Sequence, residues 1–361
     1  MSFLETYCPY FCMILCQLAY GVMNILTKIA MQQGLSHHVF VAYRHLLASA
    51  ISVPVAYVLE RKQRRPLSLL ILVKIFFLAL VGITIQQNIF FAGLAHTSPT
   101  VSGALSSVIP AFTFILAVLL RMEKVRITSA KGRVKILGTL VCVSGALVFT
   151  FWKGHLLKGF VRRPLIAIRG SHFDNWEAVN EDWVKGSLVI LTSQIIYCAW
   201  IVFQGLIFEE YPARLSLNAL ICCFTSLQSS VEALIFEKNK SSWQLGWNIQ
   251  LVAVVYTGIA ISFLAYNLQA YCINEKGPLF SAIFFPLLLV TTAVSSVILY
   301  AERLHLGSAI GAIIIIIGLY FVLWGKTEDD VDKRKKENTY SAKEIQATTQ
   351  NSTSSNCVNH V

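Results

Sequence analysis

Four polar side chains fall on one face of the first long apolar stretch of the chain. Gln17, Tyr20, Asn24 and Lys28 follow one another at intervals of three and four residues, which is the spacing of one side of an α-helix. Unpaired polar groups in hydrocarbon cost on the order of several kcal/mol, so a helix surrounded by lipid has no use for them. The stripe therefore indicates either the lining of a cavity or hydrogen bonds between helices.

A similar set of residues occurs 180 positions later, where Trp200 matches Tyr20 and Gln204 matches Asn24. Aromatic rings and amides thus recur at the same helical positions in two parts of the chain. Amides can bind the amino or carboxyl group of a small solute, and rings can pack against its side chain. We predict that these four residues line a substrate site.

Two cations, Lys28 and Arg44, lie toward one end of the first two apolar stretches. Both side chains are long enough to reach the membrane surface, which would leave them with no functional role. The alternative is a cationic spot at the mouth of a cavity, suited to a carboxylate. We include both as candidate substrate-binding residues.

Two further amide clusters are Gln86-Gln87-Asn88 and, later in the chain, Tyr266-Asn267. Successive helical residues are about 100° apart, so three in a row cannot face one neighbour. At least one must reach another helix or the cavity. Gln87, Asn88, Tyr266 and Asn267 are therefore candidates for the same site, and hydrogen bonding between helices is the alternative.

Glu232 is the only acidic residue well inside an apolar stretch, about one turn from its end. A carboxylate at this depth is costly and often functional, so it is a candidate proton-coupling site. It could equally reach the membrane surface.

The elements that would position these residues are membrane helices. Of 361 residues, 55% are hydrophobic and only 14% are charged, which excludes an ordinary soluble protein. A helix needs about 20 apolar residues to cross a bilayer. Ten stretches approach or reach this length: 9–31, 38–59, 70–93, 100–120, 134–152, 186–208, 215–236, 249–273, 279–300 and 304–324.

The last fifty residues of the apolar region repeat an earlier part of the chain. Pro278 precedes Glu302 by 24 positions, as Pro99 precedes Glu123, and the two copies are 179 positions apart. Five spans in each half make the second half enter the membrane with reversed polarity, an architecture that places a substrate site near the midplane. We expect an all-α membrane protein with one repeat in 1–152, a loop in 153–185, a second repeat in 186–326 and a disordered tail in 327–361.

The net charge of +11 follows the membrane topology. With both termini in the cytosol, 18 Lys and Arg residues lie on the cytosolic side and nine outside, as the positive-inside rule requires. The sequon at Asn239 then lies outside and is a candidate glycosylation site. Since the excess charge is a topology signal, nucleic-acid binding is not expected.

Catalytic and metal-binding motifs are missing from the sequence. It has no Gly-x-Ser-x-Gly, no phosphate-binding glycine loop and no His-Glu-x-x-His. Eight of nine cysteines lie in or beside apolar stretches, which argues against a zinc site. We expect neither an enzyme nor a protein with a cofactor or metal; the partners are lipid and a small solute, with protons as a further possibility.

Several short motifs together resemble plant transporters of the drug/metabolite superfamily, in the "walls are thin"-related group with two EamA-type repeats. The match covers about residues 9–326. The motifs are Tyr43-Arg44-His45, Gln87-Asn88, Thr97-Ser98-Pro99, Tyr211-Pro212-Ala213-x-Leu215-Ser216, Gly246-Trp247, Lys276-Gly277-Pro278, Glu302-x-Leu304-x-Leu306-Gly307-Ser308 and Leu323-Trp324-Gly325-Lys326.

The resemblance implies a ten-helix carrier of amino acids, working in either direction, or of auxin across the vacuolar membrane. It favours the plasma membrane as the location. The chain departs from the family pattern at Pro99, often a small residue in members, and at Glu232, where members are usually apolar. Its outer loop is also unusually basic.

Overall fold

The computed structural model of the chain describes residues 3–61, 67–97, 99–120, 122, 130–152, 180–300, 306–307, 309–322 and 324. Helices occupy all ten of the expected positions, and the described residues contain no β-strand. In order, the ten spans are Phe3–Gln32, His37–Leu59, Leu69–His96, Pro99–Leu119, Ala130–Phe151, Asn180–Glu210, Arg214–Phe236, Ile249–Lys276, Pro278–Ile283 with Phe285–Tyr300, and Ala309–Val322.

Eight of these helices are long and apolar enough to cross a membrane. The fifth is not among the eight, and the tenth is shorter. An all-helical, multi-pass membrane fold is therefore confirmed, whereas ten crossings stays a prediction. Residues 153–179 and 325–361 lie outside the described part of the chain, so the boundaries of the loop and the tail stay predictions as well.

The third and eighth spans each contain a π-helical segment. It covers Leu80–Ile85 in the third span and Thr257–Ala265 in the eighth. Each segment ends directly before a polar cluster, since the α-helix resumes at Gln86 in one span and at Tyr266 in the other. Wide turns of this kind often occur at functional sites. The matching positions indicate that in both halves a π-helical segment orients the polar side chains that follow it.

The fourth and ninth spans are each interrupted at matching places. The fourth stops after Ser106 and resumes at Ile109, while the ninth is interrupted at Phe284. Pro110 and Pro286 lie at the start of the resumed helices, where their missing N–H groups break no helical hydrogen bond. By contrast, Pro54 lies within a continuous second span.

The second and seventh spans pack against each other, and a carboxylate holds one end of the pair. Glu60 follows the second span, and its two oxygens accept hydrogen bonds from the backbone N–H groups of Leu215 at 2.9 Å and Ser216 at 2.7 Å. These N–H groups open the seventh span, whose N-cap residue, Ala213, has no side-chain acceptor. A contact between the end of one helix and the start of the other means that the two run antiparallel.

The opposite end of this helix pair has a related carboxylate. Glu237 follows the seventh span, and hydrogen bonds from Ser36 and Ser242 lower the pKa of its carboxyl group. Ser36 is the N-cap residue of the second span. Glu60 and Glu237 are 177 positions apart, as are the starts of the two helices at His37 and Arg214. In this part of the fold the repeat offset is thus 177 and not the 179 or 180 that the sequence motifs indicate.

Candidate functional site

A small cavity of about 60 Å³ lies between spans of both halves of the chain. One water molecule needs about 10–15 Å³, so the cavity has room for several. Seven spans contribute to its lining: the first four from the first half, and the sixth, eighth and ninth from the second. Five of the predicted residues are among the lining side chains: Tyr20, Asn24, Arg44, Gln87 and Tyr266.

Arg44 places a guanidinium group at the cavity with only 1% of its surface exposed. Its Nε donates a hydrogen bond to Ser262 Oγ at 3.0 Å, and the rings of Phe40 and Phe91 each lie 5.8 Å from the guanidinium carbon. Its Nη2 is buried and makes no hydrogen bond. No carboxylate among the described residues forms an ion pair with it, and a buried charge without a partner is costly.

Tyr20 and Tyr197 meet at a shared amide beside the cavity. Both hydroxyl oxygens lie 3.1 Å from Gln269 Oε1, and both hydroxyls donate to it. The Gln269 Nε2 in turn lies 2.9 Å from the Tyr197 hydroxyl and can donate to it. Tyr20 comes from the first half and the other two from the second. The network therefore fixes two aromatic rings of the lining across the boundary between the halves.

Gln87 forms a second bridge between the halves. Its Nε2 donates to the Tyr266 hydroxyl at 2.7 Å, and its Oε1 lies 3.1 Å from His45 Nε2. The amide is therefore held from both sides. Because Gln87 and Tyr266 each follow a π-helical segment, the wide turns of the third and eighth spans bring these two side chains together.

Asn24 is fully buried, and neither atom of its side-chain amide has a hydrogen-bond partner. Buried polar groups are nearly always paired in folded proteins, with protein or with ordered water. An amide that lines a cavity and lacks a protein partner can bind a solute or a water molecule there, as both donor and acceptor.

Lys28, Asn88 and Asn267 do not line the cavity. The Nζ of Lys28 donates to the carbonyl oxygens of Leu94 at 2.8 Å and Ala95 at 2.7 Å, near the end of the third span. Asn267 Nδ2 donates to the carbonyl of Phe263, four residues earlier. Asn88 makes the equivalent local bond to Thr84 O at 2.9 Å and also bonds Glu232.

Trp200 and Gln204 are also absent from the cavity lining. The Trp200 indole packs on Gly82 of the third span, where any Cβ would overlap it. Gln204 is fully buried, and its amide atoms lack hydrogen-bond partners. At the repeat offset of 177, the residue that corresponds to Tyr20 is Tyr197. Trp200 corresponds to Tyr20 only at the offset of 180.

The structure adds Gln194 and Tyr197 to the site. Both line the cavity, and Gln194 Nε2 donates to Ser106 Oγ at 3.1 Å, next to the interruption in the fourth span. At the offset of 177, Gln194 corresponds to Gln17. Glu60 and Glu237, which follow the second and seventh helices, show the offset of 177 in the sequence. Adding 177 to Gln17 and Tyr20 would have indicated Gln194 and Tyr197.

Comparison with known proteins decides the family. The EamA-like transporter family model matches residues 9–151 and 184–324, which is one repeat in each half. The chain belongs to the EamA-like transporter family. The two matched segments correspond to the first five and last five helices described above.

Relatives of this EamA chain include plant proteins that match it over most of their own length. A WAT1-related protein of Arabidopsis thaliana is 39% identical over 91% of this chain and 83% of its own. Another is 37% identical over 95% and 98%. An auxin-induced protein of Pinus taeda is 37% identical over 88% and 78%.

A protein of known crystal structure shares the EamA chain's fold. It superposes with a TM-score of 0.63 over 87% of this chain and 96% of its own, at 14% identity. Family and fold together show a membrane transporter with two repeats. The described cavity lies between these two repeats.

Proposed function

We propose that this chain is a carrier of small metabolites that bear a carboxylate, with amino acids as the first class to test. The observation that carries the proposal is Arg44, a buried cation that lines the cavity and has no carboxylate partner among the described residues. A substrate carboxylate would complete this pairing, because guanidinium and carboxylate form two parallel hydrogen bonds. One of the two donors, Nη2, is unoccupied.

The remaining lining residues fit the rest of an amino acid. Asn24 offers an unpaired amide, and the rings of Tyr20, Tyr197 and Phe285 can pack against an apolar side chain. Aromatic faces also attract an ammonium group, by about 0.5–2 kcal/mol. The substrate's two charged ends would therefore be held by different chemistry, the carboxylate by a cation and the ammonium by rings and amides.

A second candidate substrate is an organic anion such as auxin, which has a carboxylate and no ammonium. It is favoured by the charge of the lining: the described residues there include Arg44 and no acidic side chain. An uncompensated cation suits a net anion better than a zwitterion.

The proposed mechanism is alternating access between the two repeats. The substrate binds between the halves near the midplane, and the halves rock about it to expose the site to each side in turn. Gln87–Tyr266 and Tyr20–Gln269 bridge the halves beside the site, so they are the contacts that such a motion must rearrange. We propose the plasma membrane as the location and the vacuolar membrane as the alternative.

The test is transport by purified protein in phosphatidylcholine vesicles, with labelled glutamine and labelled indole-3-acetate as the two probes. Arg44→Gln should lower the initial rate about tenfold or more for the transported probe, and Arg44→Lys should retain part of it because the charge remains. Lys74→Gln is the matched control, since Lys74 pairs with Glu210 and is 40% exposed. Unchanged transport by a folded Arg44→Gln protein would disprove the role of Arg44.

A further inference from the structure

We propose that Glu232 binds a proton that is carried together with the substrate, with His38 as its partner on the entry side and Asn88 as its link to the third span. This proposal rests on the proposed function as a carrier. It concerns a cluster away from the cavity, built from three different spans.

The cluster is held by two contacts of the Glu232 carboxylate. Asn88 Nδ2 donates to Oε2 at 2.7 Å, and His38 Nδ1 lies 3.4 Å from Oε1. The His38 contact is an ion pair when the imidazole is protonated. The two side chains are 19% and 23% exposed, for His38 and Glu232 respectively. The carboxylate is thus partly exposed near one end of the seventh span, while one of its oxygens accepts a hydrogen bond inside the protein.

The position of the cluster fits proton entry from outside. His38 opens the second span and Glu232 lies in the last turns of the seventh, both of which the charge distribution places at the outer side. His38 also stacks on Phe236, with ring centroids 5.1 Å apart, which fixes the imidazole beside the carboxylate.

The other titratable groups around the cluster come from the same two spans. The ring of His37 lies 4.0 Å from that of His38, and Glu237 follows the seventh span and interacts with both histidines. The contacts from the third span, Asn88 and Thr84, are uncharged. Arg44 and His45 lie further along the second span and make their contacts on the cavity side.

The third span connects the Glu232 cluster to the cavity, because Asn88 and Gln87 are adjacent residues just after its π-helical segment. Asn88 bonds Glu232 and also the carbonyl of Thr84, within that segment. The Thr84 hydroxyl donates to Gln228 Oε1 at 2.9 Å, so the seventh span holds the third span at two points about one turn apart, Thr84 and Asn88. Directly before Asn88, Gln87 lines the cavity.

The proposed cycle moves a proton from the outer water, through Glu232, to the water on the other side of the membrane. A proton from the outer water binds Glu232 Oε1, which neutralises the carboxylate and ends its attraction to protonated His38. After the carrier reorients, the proton leaves to water on the other side. The second half has an equivalent local bond at Asn267, but Val55 occupies the position in the second span that corresponds to Glu232 at the offset of 177. The site therefore belongs to one half only.

The experiment measures uptake by vesicles of phosphatidylcholine at fixed inner pH while the outer pH varies between about 5 and 8, an interval around neutrality. Labelled glutamine and labelled indole-3-acetate are the probes. Native protein should take up its substrate several-fold faster at the acidic end and should make the outer solution alkaline as it does so. Glu232→Gln should give uptake that does not depend on pH and should abolish the alkalinisation.

Substrate exchange at equal pH on both sides separates the two proposals, because it needs a carrier but no proton gradient. Glu232→Gln should keep this exchange. Glu210→Gln is the matched control, a carboxylate paired with Lys74 on another helix, and it should keep the native pH profile. His38→Asn should shift the midpoint of the profile without removing it.

Three results overturn the inference. They are a native pH profile in Glu232→Gln, an equal loss of uptake and exchange at every pH in that variant, and pH-independent uptake by native protein that exchanges normally. In the last case the carrier function stands and the proton site fails. If native protein exchanges neither probe, the proposed function fails first and the proton site with it.

Discussion

Asn24 and Gln204 have the same chemistry and the same burial but different surroundings. Both side chains are fully buried, and in both the amide atoms lack hydrogen-bond partners. Only Asn24 lines the cavity. An unpaired buried amide costs about 1–3 kcal/mol unless something else binds it. We therefore propose that the Asn24 amide is available to a substrate, whereas the Gln204 amide has no cavity from which a substrate could reach it.

We expect opposite outcomes when each amide is replaced by an apolar side chain of similar volume. Asn24→Leu should lower transport about tenfold at normal abundance, since the substrate loses a hydrogen-bonding group. Gln204→Leu should leave transport unchanged and raise the melting temperature of the detergent-solubilised protein, because an unpaired amide is removed. Transport assays and thermal denaturation of the two variants side by side provide the check, and equal transport in both would contradict the distinction.

Residue types and helical spacing predicted five of the residues that line the cavity. They could not separate Asn24 from Lys28 on the same helix face, because the partners of Lys28 are backbone carbonyls of the third span. Such partners have no signature in the sequence. The same reason applies to Asn88, which turns from the cavity to bond Thr84 and Glu232.

The contact between the second and seventh helices depends on Glu60, which is only 7% exposed. The first four N–H groups of any helix lack partners within that helix, and here the carboxylate satisfies two of them. A negative charge at this end also interacts favourably with the helix dipole.

Replacing Glu60 tests this role. Glu60→Ala should lower the free energy of unfolding by about 1–3 kcal/mol, since it leaves buried N–H groups unpaired. Glu60→Gln should cost less, because one oxygen remains as an acceptor. Thermal unfolding in detergent measures both, with Glu210→Ala as the control for removing an acid of greater exposure. Stability of Glu60→Ala equal to that of the native protein would show that water replaces the carboxylate.

The repeat was visible in the sequence, but its offset was not constant. Proline and glutamate anchors gave 179, and the start of the second and seventh helices gives 177. Three residues are almost one helical turn. The offset of 180 therefore matched Tyr20 with Trp200, whereas the offset of 177 matches it with Tyr197. Loop lengths differ between the halves, so different anchors give different offsets, and in the sequence Glu60 and Glu237 are the pair that carries the offset of 177.

The orientation of the whole molecule in the membrane remains a prediction, and Asn239 allows a test. This residue is exposed in the connection after the seventh helix, directly before the turn Lys240–Trp243. If both termini are cytosolic, the protein made in a eukaryotic cell should carry a glycan at Asn239. Glycosidase treatment should then increase its electrophoretic mobility, and Asn239→Gln should abolish that change. A glycan instead at Asn351, which begins the sequon Asn351-Ser352-Thr353 near the C-terminal end of the sequence, would reverse the topology.

Composition predicted the fold class because the bilayer imposes it: apolar helices of sufficient length have few other uses. The positions of the ten helices followed from the same rule. The interruptions of the fourth and ninth spans lie next to Pro110 and Pro286, residues that suit the first turn of a helix. The π-helical segments had no comparable signal, since Leu80–Ile85 has an ordinary apolar sequence.

Glu60 and Glu237 occupy equivalent places but hold different partners. Glu60 binds two backbone N–H groups, whereas Glu237 accepts from serine hydroxyls. At the offset of 177, Leu215 and Ser216 correspond to His38 and Val39. We expect the opposite-facing state of the proposed transport cycle to exchange the two roles. Glu60 would then release Leu215 and Ser216, and Glu237 would accept hydrogen bonds from the backbone N–H groups of His38 and Val39.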